Sequence, residues 1–277
     1  MRPMRFVRVG AALALGFALS AAAADEVPFV TTPDAVTLAM LQLANVGARD
    51  HVIDLGSGDG RIVITAARRF SASGLGVEIV PALVDKSRQL ARAAGVQDRV
   101  EFRTGDLFEA DLRRATVITM YLLPEVNLQL RPRLLALAPG TRLVSHDWDM
   151  GDWVPDRSLK VDAPDKSIGL EKSSQVHLWV VPAQVHGLWC APDATLEIAQ
   201  RFQRFRRFSA ILNGSTTAPP ELVFDGHIDG NRLRAHGIDA VALRVEGQGL
   251  RMFDTRGLRE AAGRLFRRAV GPRCDAA

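Results

Sequence analysis

The spacing of apolar residues predicts helices alternating with strands over the first half of the chain, then strands alone over most of the rest. Val36, Met40, Leu43 and Ala44 repeat on one helical face, behind Thr32 as N-cap, Pro33 at the first helical position and Asp34 in the first turn. Residues 52–55 read as a short buried strand, Gly56, Gly58 and Gly60 as a turn, and residues 61–70 return to helical spacing through Ile62, Val63 and Ala66. Residues 74–80 form a second strand holding one acid, Glu78. Pro81 opens a helix with Leu83, Val84, Leu90 and Ala94 that ends near Gly95, and residues 100–103 make a third strand before Gly105-Asp106-Leu107. The apolar, β-branched run at 115–123 is the fourth strand. Pro124 then starts a helix carrying Leu128, Leu130, Leu134 and Leu135, which Pro132 is expected to kink or divide. Residues 141–148 add a fifth strand. The alternation predicts an α/β fold with a Rossmann-like, doubly wound parallel sheet and helices on both faces.

Beyond Asp156 the helical period disappears. Residues 158–161 and 176–181 are extended runs suited to an antiparallel hairpin at the sheet edge, and Pro182 marks the expected boundary between a domain at 25–182 and a small β-rich domain at 183–277. In the second, Leu196, Ile198 and Phe202 alternate on one side, 222–228, 240–245 and 250–253 read as strands, and Asp229-Gly230-Asn231 as a hairpin turn. A final helix is expected at about 256–270, with Leu258, Ala262, Leu265 and Phe266 on one side and Arg259, Arg264, Arg267 and Arg268 elsewhere. Phe202, Phe205 and Phe208, interleaved with Arg201, Arg204, Arg206 and Arg207, fit a strand with a core face and a wet face better than a base-stacking platform.

Composition is that of an ordinary globular chain: 277 residues, 47% apolar and 24% charged. The formal charge of +4 owes three units to Arg2, Arg5 and Arg8, ahead of any acid, so a chain starting at Asp25 carries only +1. That balance gives no argument for nucleic-acid binding. Those arginines, an apolar run at 9–19 and the small residues 21–24 have the three parts of a signal peptide spanning residues 1–24, and the apolar run is short for a membrane span. The expectation is an exported, periplasmic protein with no stable span after cleavage; an uncleaved anchor or a misassigned start leaves the cytoplasm as the alternative. Cys190 and Cys274 are the only cysteines, and read either as one disulfide or as two separate buried thiols. His177, His186, His227 and His236 lack ligand spacing, so no metal is expected.

The chemistry concentrates where the parallel strands end. Asp54, Glu78 and Asp106 fall at the ends of three successive strands, the place where open α/β sheets bind ligands. A carboxylate after the second strand matches a vicinal diol. The glycine pattern is Gly-x-Gly-x-Gly with Asp59 between the last two, and Arg61 stands where a dinucleotide motif places its last glycine, so pyrophosphate is disfavoured.

The stretch Val52-Ile53-Asp54-Leu55-Gly56-Ser57-Gly58-Asp59-Gly60 resembles the first motif of the seven-strand, class I S-adenosylmethionine-dependent methyltransferases. Within that family, Ser57-Gly58-Asp59-Gly60-Arg61 followed by Ile62-Val63-Ile64, with Gly76-Val77-Glu78-Ile79 before Pro81, is most similar to the branch of mitochondrial protein-lysine methyltransferases and their bacterial relatives. Tyr121-Leu122-Leu123-Pro124 and the run from Ser145 to Trp153 resemble its bacterial members, and the likeness covers residues 29–181. It implies that the turn Gly56-Ser57-Gly58-Asp59 approaches the methionine part of S-adenosyl-L-methionine, Asp54 holds its amino group, Glu78 binds the ribose, and Asp106 and Leu107 cover the adenine. The implied reaction is N-methylation of an amine, such as a lysine of a protein substrate. Tyr121 is the first acceptor-side candidate, with His146, Asp147 and Asp149 behind it. The Asn/Asp-Pro-Pro-aromatic motif of adenine and glutamine methylators is replaced by Tyr-Leu-Leu-Pro, so those acceptors are not expected. A second class of function also fits: an exported binding protein that keeps the cradle without turnover.

Overall fold

The structure is a computed structural model that describes residues 30–192, 194–212, 222–236, 241–255 and 262–274. The expected signal at 1–24 lies outside them. α1 (Asp34–Leu43) leads into β1 (His51–Leu55), α2 (Arg61–Phe70), β2 (Ser73–Glu78), α3 (Pro81–Ala93), β3 (Val100–Thr104), β4 (Val117–Met120), α4 (Pro124–Leu135), β5 (Arg142–His146), β6 (Arg157–Asp162) and β7 (Ser173–Val180). These strands form one seven-stranded sheet in the order β3-β2-β1-β4-β5-β7-β6. β1 to β5 run parallel, and β7 and β6 add the antiparallel edge hairpin that the sequence predicts.

Alternating side chains along each buried strand feed opposite faces of the sheet. Val52, Val117, Val144 and Leu178 join α1 and α2 on one face, while Ile53, Ile118, Leu143 and Trp179 join Leu130 and Leu134 of α4 on the other. Two local expectations fail for identifiable reasons. Thr32 does not cap α1: Pro33 takes the N-cap position, and the Thr32 hydroxyl bonds the His146 ring instead. Pro132 does not divide α4, which continues to Leu135. The carbonyl that the proline leaves without its helical donor belongs to the exposed Leu128, where water can satisfy it.

The remaining strands, β8 (Gly187–Ala191), β9 (Ala194–Arg201), β10 (Arg204–Leu212), β11 (Leu222–Asp229), β12 (Arg232–Ala235), β13 (Val241–Glu246), β14 (Gly249–Thr255) and β15 (Leu265–Arg268), close into a barrel. Its interior is filled by side chains such as Trp189, Leu196, Phe205, Leu243 and Met252. The expected final helix is corrected in its described part, where residues 265–268 are a strand. Pairing on both sides, to β14 and β8, closes the barrel and buries Phe266 inside it, which outweighs helical propensity. Residues 256–261 of that expectation lie outside the described residues. Cys190 and Cys274 form a disulfide across 84 positions of sequence.

Phe202 also leaves its expected place in the barrel. At φ +52° it turns out of the strand alternation and packs against the sheet face beneath α4, its ring stacked on Trp153 at 5.8 Å. Arg131 and Arg201 flank that ring, and Asp152 bridges them at 2.5 and 2.7 Å. Gln203 donates to the Val154 carbonyl, and His227 lies 3.0 Å from Asp156. The barrel is thereby seated on the sheet through one aromatic plug and a ring of polar contacts. No helix among the described residues is long and apolar enough to cross a membrane.

Candidate active site

The glycine turn is set by backbone conformations that only glycine adopts cheaply. Gly56, Gly58 and Gly60 have φ of +73°, +54° and +77°. A Cβ on Gly60 would lie 2.5 Å from the Phe102 ring, and one on Gly76 would lie 2.6 Å from the Ser57 hydroxyl oxygen. The amides of Gly56 and Ser57 both donate to the Val77 carbonyl, and Ser87 of α3 donates to the Gly58 carbonyl, so the turn is held from β2 and from behind.

Two carboxylates face this turn from the strand ends. Glu78 accepts the Gly58 amide at 2.8 Å on one oxygen and the Val80 amide at 3.0 Å on the other. Each oxygen keeps a lone pair for a further donor. Asp54 is 2% exposed and accepts one hydrogen bond, 2.7 Å from Thr119, its direct cross-strand partner on β4. Burial, assisted by the charges of Glu78 and Asp59, pushes the Asp54 carboxyl up to about 7. A buried acid with one partner and a raised pKa is matched to a cationic group, and Glu78 to a pair of hydroxyls. This donor set fits the amino group and ribose of S-adenosylmethionine.

The other expected cofactor residues make contacts within the protein. Asp59 spends both oxygens on the Arg61 guanidinium, at 3.0 and 2.8 Å, and Arg61 continues to the Thr32 carbonyl. Burial opposes the Asp59 charge, but this bidentate contact holds its carboxyl below the ordinary value. Asp59 therefore braces the turn against the segment preceding α1. The Ser57 hydroxyl is buried beneath the turn without a hydrogen-bond partner. Asp106 is exposed and closes its own loop by accepting the Phe108 amide at 2.8 Å, while Arg133 of α4 donates to the Leu107, Phe108 and Ala110 carbonyls. That clamp fixes the loop after β3, which carries Leu107.

On the other side of β1 the structure brings Tyr121, His146 and Asp147 together. Tyr121 follows β4 and stacks on His146 with ring centroids 3.8 Å apart. His146, at the end of β5, is wholly buried; its Nδ1 lies 3.2 Å from the Thr32 hydroxyl and its Nε2 2.8 Å from that of Ser174. Burial drives its pKa down to about 4, so the ring is neutral at pH 7 with both nitrogens engaged. His146 thus supports the Tyr121 ring while both of its own nitrogens are partnered by hydroxyls. Asp147, at φ +61°, accepts the Gln175 amide at 2.9 Å and meets the Lys166 ammonium at 2.7 Å. Burial opposes its ionisation, yet Lys166 and the amide hold its carboxyl below the usual range. Burial and the Asp147 charge together raise the Tyr121 hydroxyl above its ordinary value, keeping it protonated. Asp149 instead caps the loop after β5 by accepting the Gly151 amide. Sequence reasoning missed Thr32, Thr119, Ser174 and Lys166; only Thr119, a lone hydroxyl inside a buried apolar strand, left a readable signal.

Comparison with known proteins agrees with this geometry. Residues 54–157 match the family model of the ANTKMT methyltransferase domain. A protein-lysine N-methyltransferase of Saccharolobus islandicus is 44% identical over 139 residues, 50% of this chain and 86% of that protein. The adenine nucleotide translocase lysine N-methyltransferase of Mus musculus is 34% identical over 131 residues, 47% of this chain and only 57% of the mouse protein. Among solved structures, an RNA methyltransferase from Salinibacter ruber in complex with S-adenosyl-L-homocysteine is 54% identical, with a TM-score of 0.51 over 56% of this chain and 96% of that one. Glycine turn, strand-end carboxylates, sheet order and relatives converge, and the chain belongs to the class I S-adenosylmethionine-dependent methyltransferases.

Proposed function

We propose that this methyltransferase acts on the side-chain amine of a lysine in a protein. One feature carries the reading: the Asp147 carboxylate lies 3.4 Å from His146, whose ring stacks on Tyr121 at 3.8 Å, which groups an acid and an aromatic ring as a pair suited to an alkylammonium. The names of the archaeal and mouse relatives support it.

S-adenosylmethionine supplies an electrophilic methyl group on a sulfonium. The protein supplies proximity and orientation for an in-line displacement. Asp147 receives the ammonium, Tyr121 walls the approach, and neutral His146 fixes the Tyr121 ring. The lysine must shed its proton from a starting pKa of about 10.4 before it attacks. Asp147→Asn is expected to lower kcat/KM for a lysine peptide about a hundredfold while leaving the Kd for S-adenosylhomocysteine unchanged. Undiminished transfer in that variant would remove the carboxylate from the acceptor site.

The Salinibacter ruber relative is named an RNA methyltransferase, which raises RNA as a second acceptor. The loops at the carboxyl ends of the strands favour a polypeptide, since they expose Ile79, Leu123, Trp148, Ile168 and Leu170, and the neighbouring Arg61 and Arg131 are already committed to acids. Phosphate contacts need uncommitted cations.

We also propose that residues 1–24 direct export to the periplasm and that residues 183–277 form a separate small domain. The Cys190–Cys274 disulfide supports the first, because such bonds persist in oxidising compartments. Mass spectrometry of protein from its native host is expected to find Asp25 at the mature N-terminus; retention of Met1 would refute export.

A further inference from the structure

The segment joining β6 to β7 carries a lysine of the chain itself into the acceptor side of the crevice. The Lys166 ammonium lies 2.7 Å from Asp147 Oδ2 and donates to the Ser173 carbonyl at 3.0 Å. The same carboxylate oxygen is 3.4 Å from His146 Nε2, and the His146 ring supports Tyr121. An alkylammonium therefore already sits on the carboxylate that stands beside the acceptor-side tyrosine. Resting on the lysine reading above, we propose that Lys166 occupies the subsite for the substrate's lysine ammonium, so that an incoming acceptor must displace it.

Three features make displacement cheap. The pair is not sealed: the side chains of Lys166 and Asp147 are 14% and 17% exposed, so solvent and a ligand reach both. The segment is held mainly by its own hydrogen bonds, from the Lys166 amide to the Ala163 carbonyl, from the Ala163 amide to the Lys172 carbonyl, and from the Lys172 ammonium to the Lys166 carbonyl. Its Ile168 and Leu170 are exposed, so the stretch between Ala163 and Lys172 gains little from burial and opens locally at low cost. The exchange also conserves charge, one ammonium replacing another, and leaves Asp147 neither stripped nor doubly paired.

Lys166 is a competitor and not itself the acceptor. Its nitrogen is turned to the Asp147 carboxylate and the Ser173 carbonyl, and an ammonium in that ion pair has no lone pair to attack a methyl group.

The test uses the full chain with S-adenosylhomocysteine bound, n-butylammonium as probe in calorimetry, and Lys166→Gln, Lys166→Met and Lys166→Arg variants. Gln and Met are expected to bind the probe about tenfold more tightly than wild type, as expected when an internal competitor is removed, with the affinity for S-adenosylhomocysteine unchanged. Arg is expected to stay near wild type, since it keeps a cation on Asp147. In turnover with a lysine peptide, Gln and Met should lower KM with kcat preserved. Probe binding no tighter in either neutral variant would overturn the inference, as would methylation found on Lys166 itself. Absence of lysine turnover in wild type and variants alike, with the cofactor product bound, would instead overturn the lysine reading, and the calorimetric comparison would still decide the occupancy of Asp147.

Discussion

Replacing Asp54 with asparagine separates what the cradle costs in stability from what it gains in binding. The side chain is buried with one hydrogen bond, and an asparagine of the same shape can accept the same Thr119 hydroxyl through its oxygen. In the folded protein without cofactor its pKa is raised from 3.8 to about 7. The sign follows from linkage: between those values the unfolded chain has released the proton and the folded one retains it, so stability falls as pH rises, and the loss is complete above the folded pKa. Three units at about 1.4 kcal/mol each put that loss near 4 kcal/mol at its full extent. Asp54→Asn carries no such loss. Its stability relative to wild type should therefore increase by about 2–3 kcal/mol between pH 5 and pH 8, and any pH-independent cost of the amide cancels in the comparison. Urea midpoints at the two pH values read this directly. The same variant should bind S-adenosylhomocysteine far more weakly, because the amino group loses its counter-charge, and wild-type binding near pH 6 should release a proton, seen as a dependence of calorimetric heat on buffer ionisation enthalpy. A relative stability that is flat or falls with pH would refute the assignment of a buried, proton-retaining carboxyl.

Other substitutions probe the parts around it. Gly60→Ala places a methyl group against Phe102 at a positive φ, and should cost about 2–3 kcal/mol in urea unfolding while weakening cofactor-product binding; wild-type behaviour would deny the turn its close packing. Phe202→Ala removes the aromatic plug between barrel and sheet and should destabilise by about 2–3 kcal/mol, with a changed Trp153 fluorescence signal that would be absent if the barrel were not seated there. Breaking the disulfide with Cys190→Ala and Cys274→Ala together frees a loop of 84 positions and should cost about 4–5 kcal/mol by loop entropy, with the melting of the barrel as readout; an unchanged melt would show that packing alone holds it.

Much of the sheet is legible in the sequence because its central strands β1, β2, β4 and β5 are buried on both faces and separated by punctuating residues. Gly56 to Gly60, Pro81 and Pro124 mark turns and helix starts that the structure keeps. The cradle carboxylates Asp54 and Glu78 are legible for the same reason, since each directly follows an apolar run. Less legible are residues whose partners are remote in sequence. Thr32 serves His146, 114 positions away, and not the helix start that its local motif suggests. Lys166 sits in a segment with no periodicity, and only the antiparallel return of β7 beside β5 brings it to Asp147. The final segment misleads because Leu265 and Phe266 satisfy a helical period, while barrel closure, a long-range demand, decides for a strand.

The most direct test is to incubate the full-length protein with S-adenosylmethionine carrying a deuterated methyl group and with protein and RNA fractions of its native host, then locate the label by tandem mass spectrometry. A deuteromethyl group on lysine Nζ of a protein, lost when Glu78 is replaced by alanine, is the expected result. Label found only in RNA, or on no macromolecule while S-adenosylhomocysteine still binds, would contradict a protein-lysine methyltransferase.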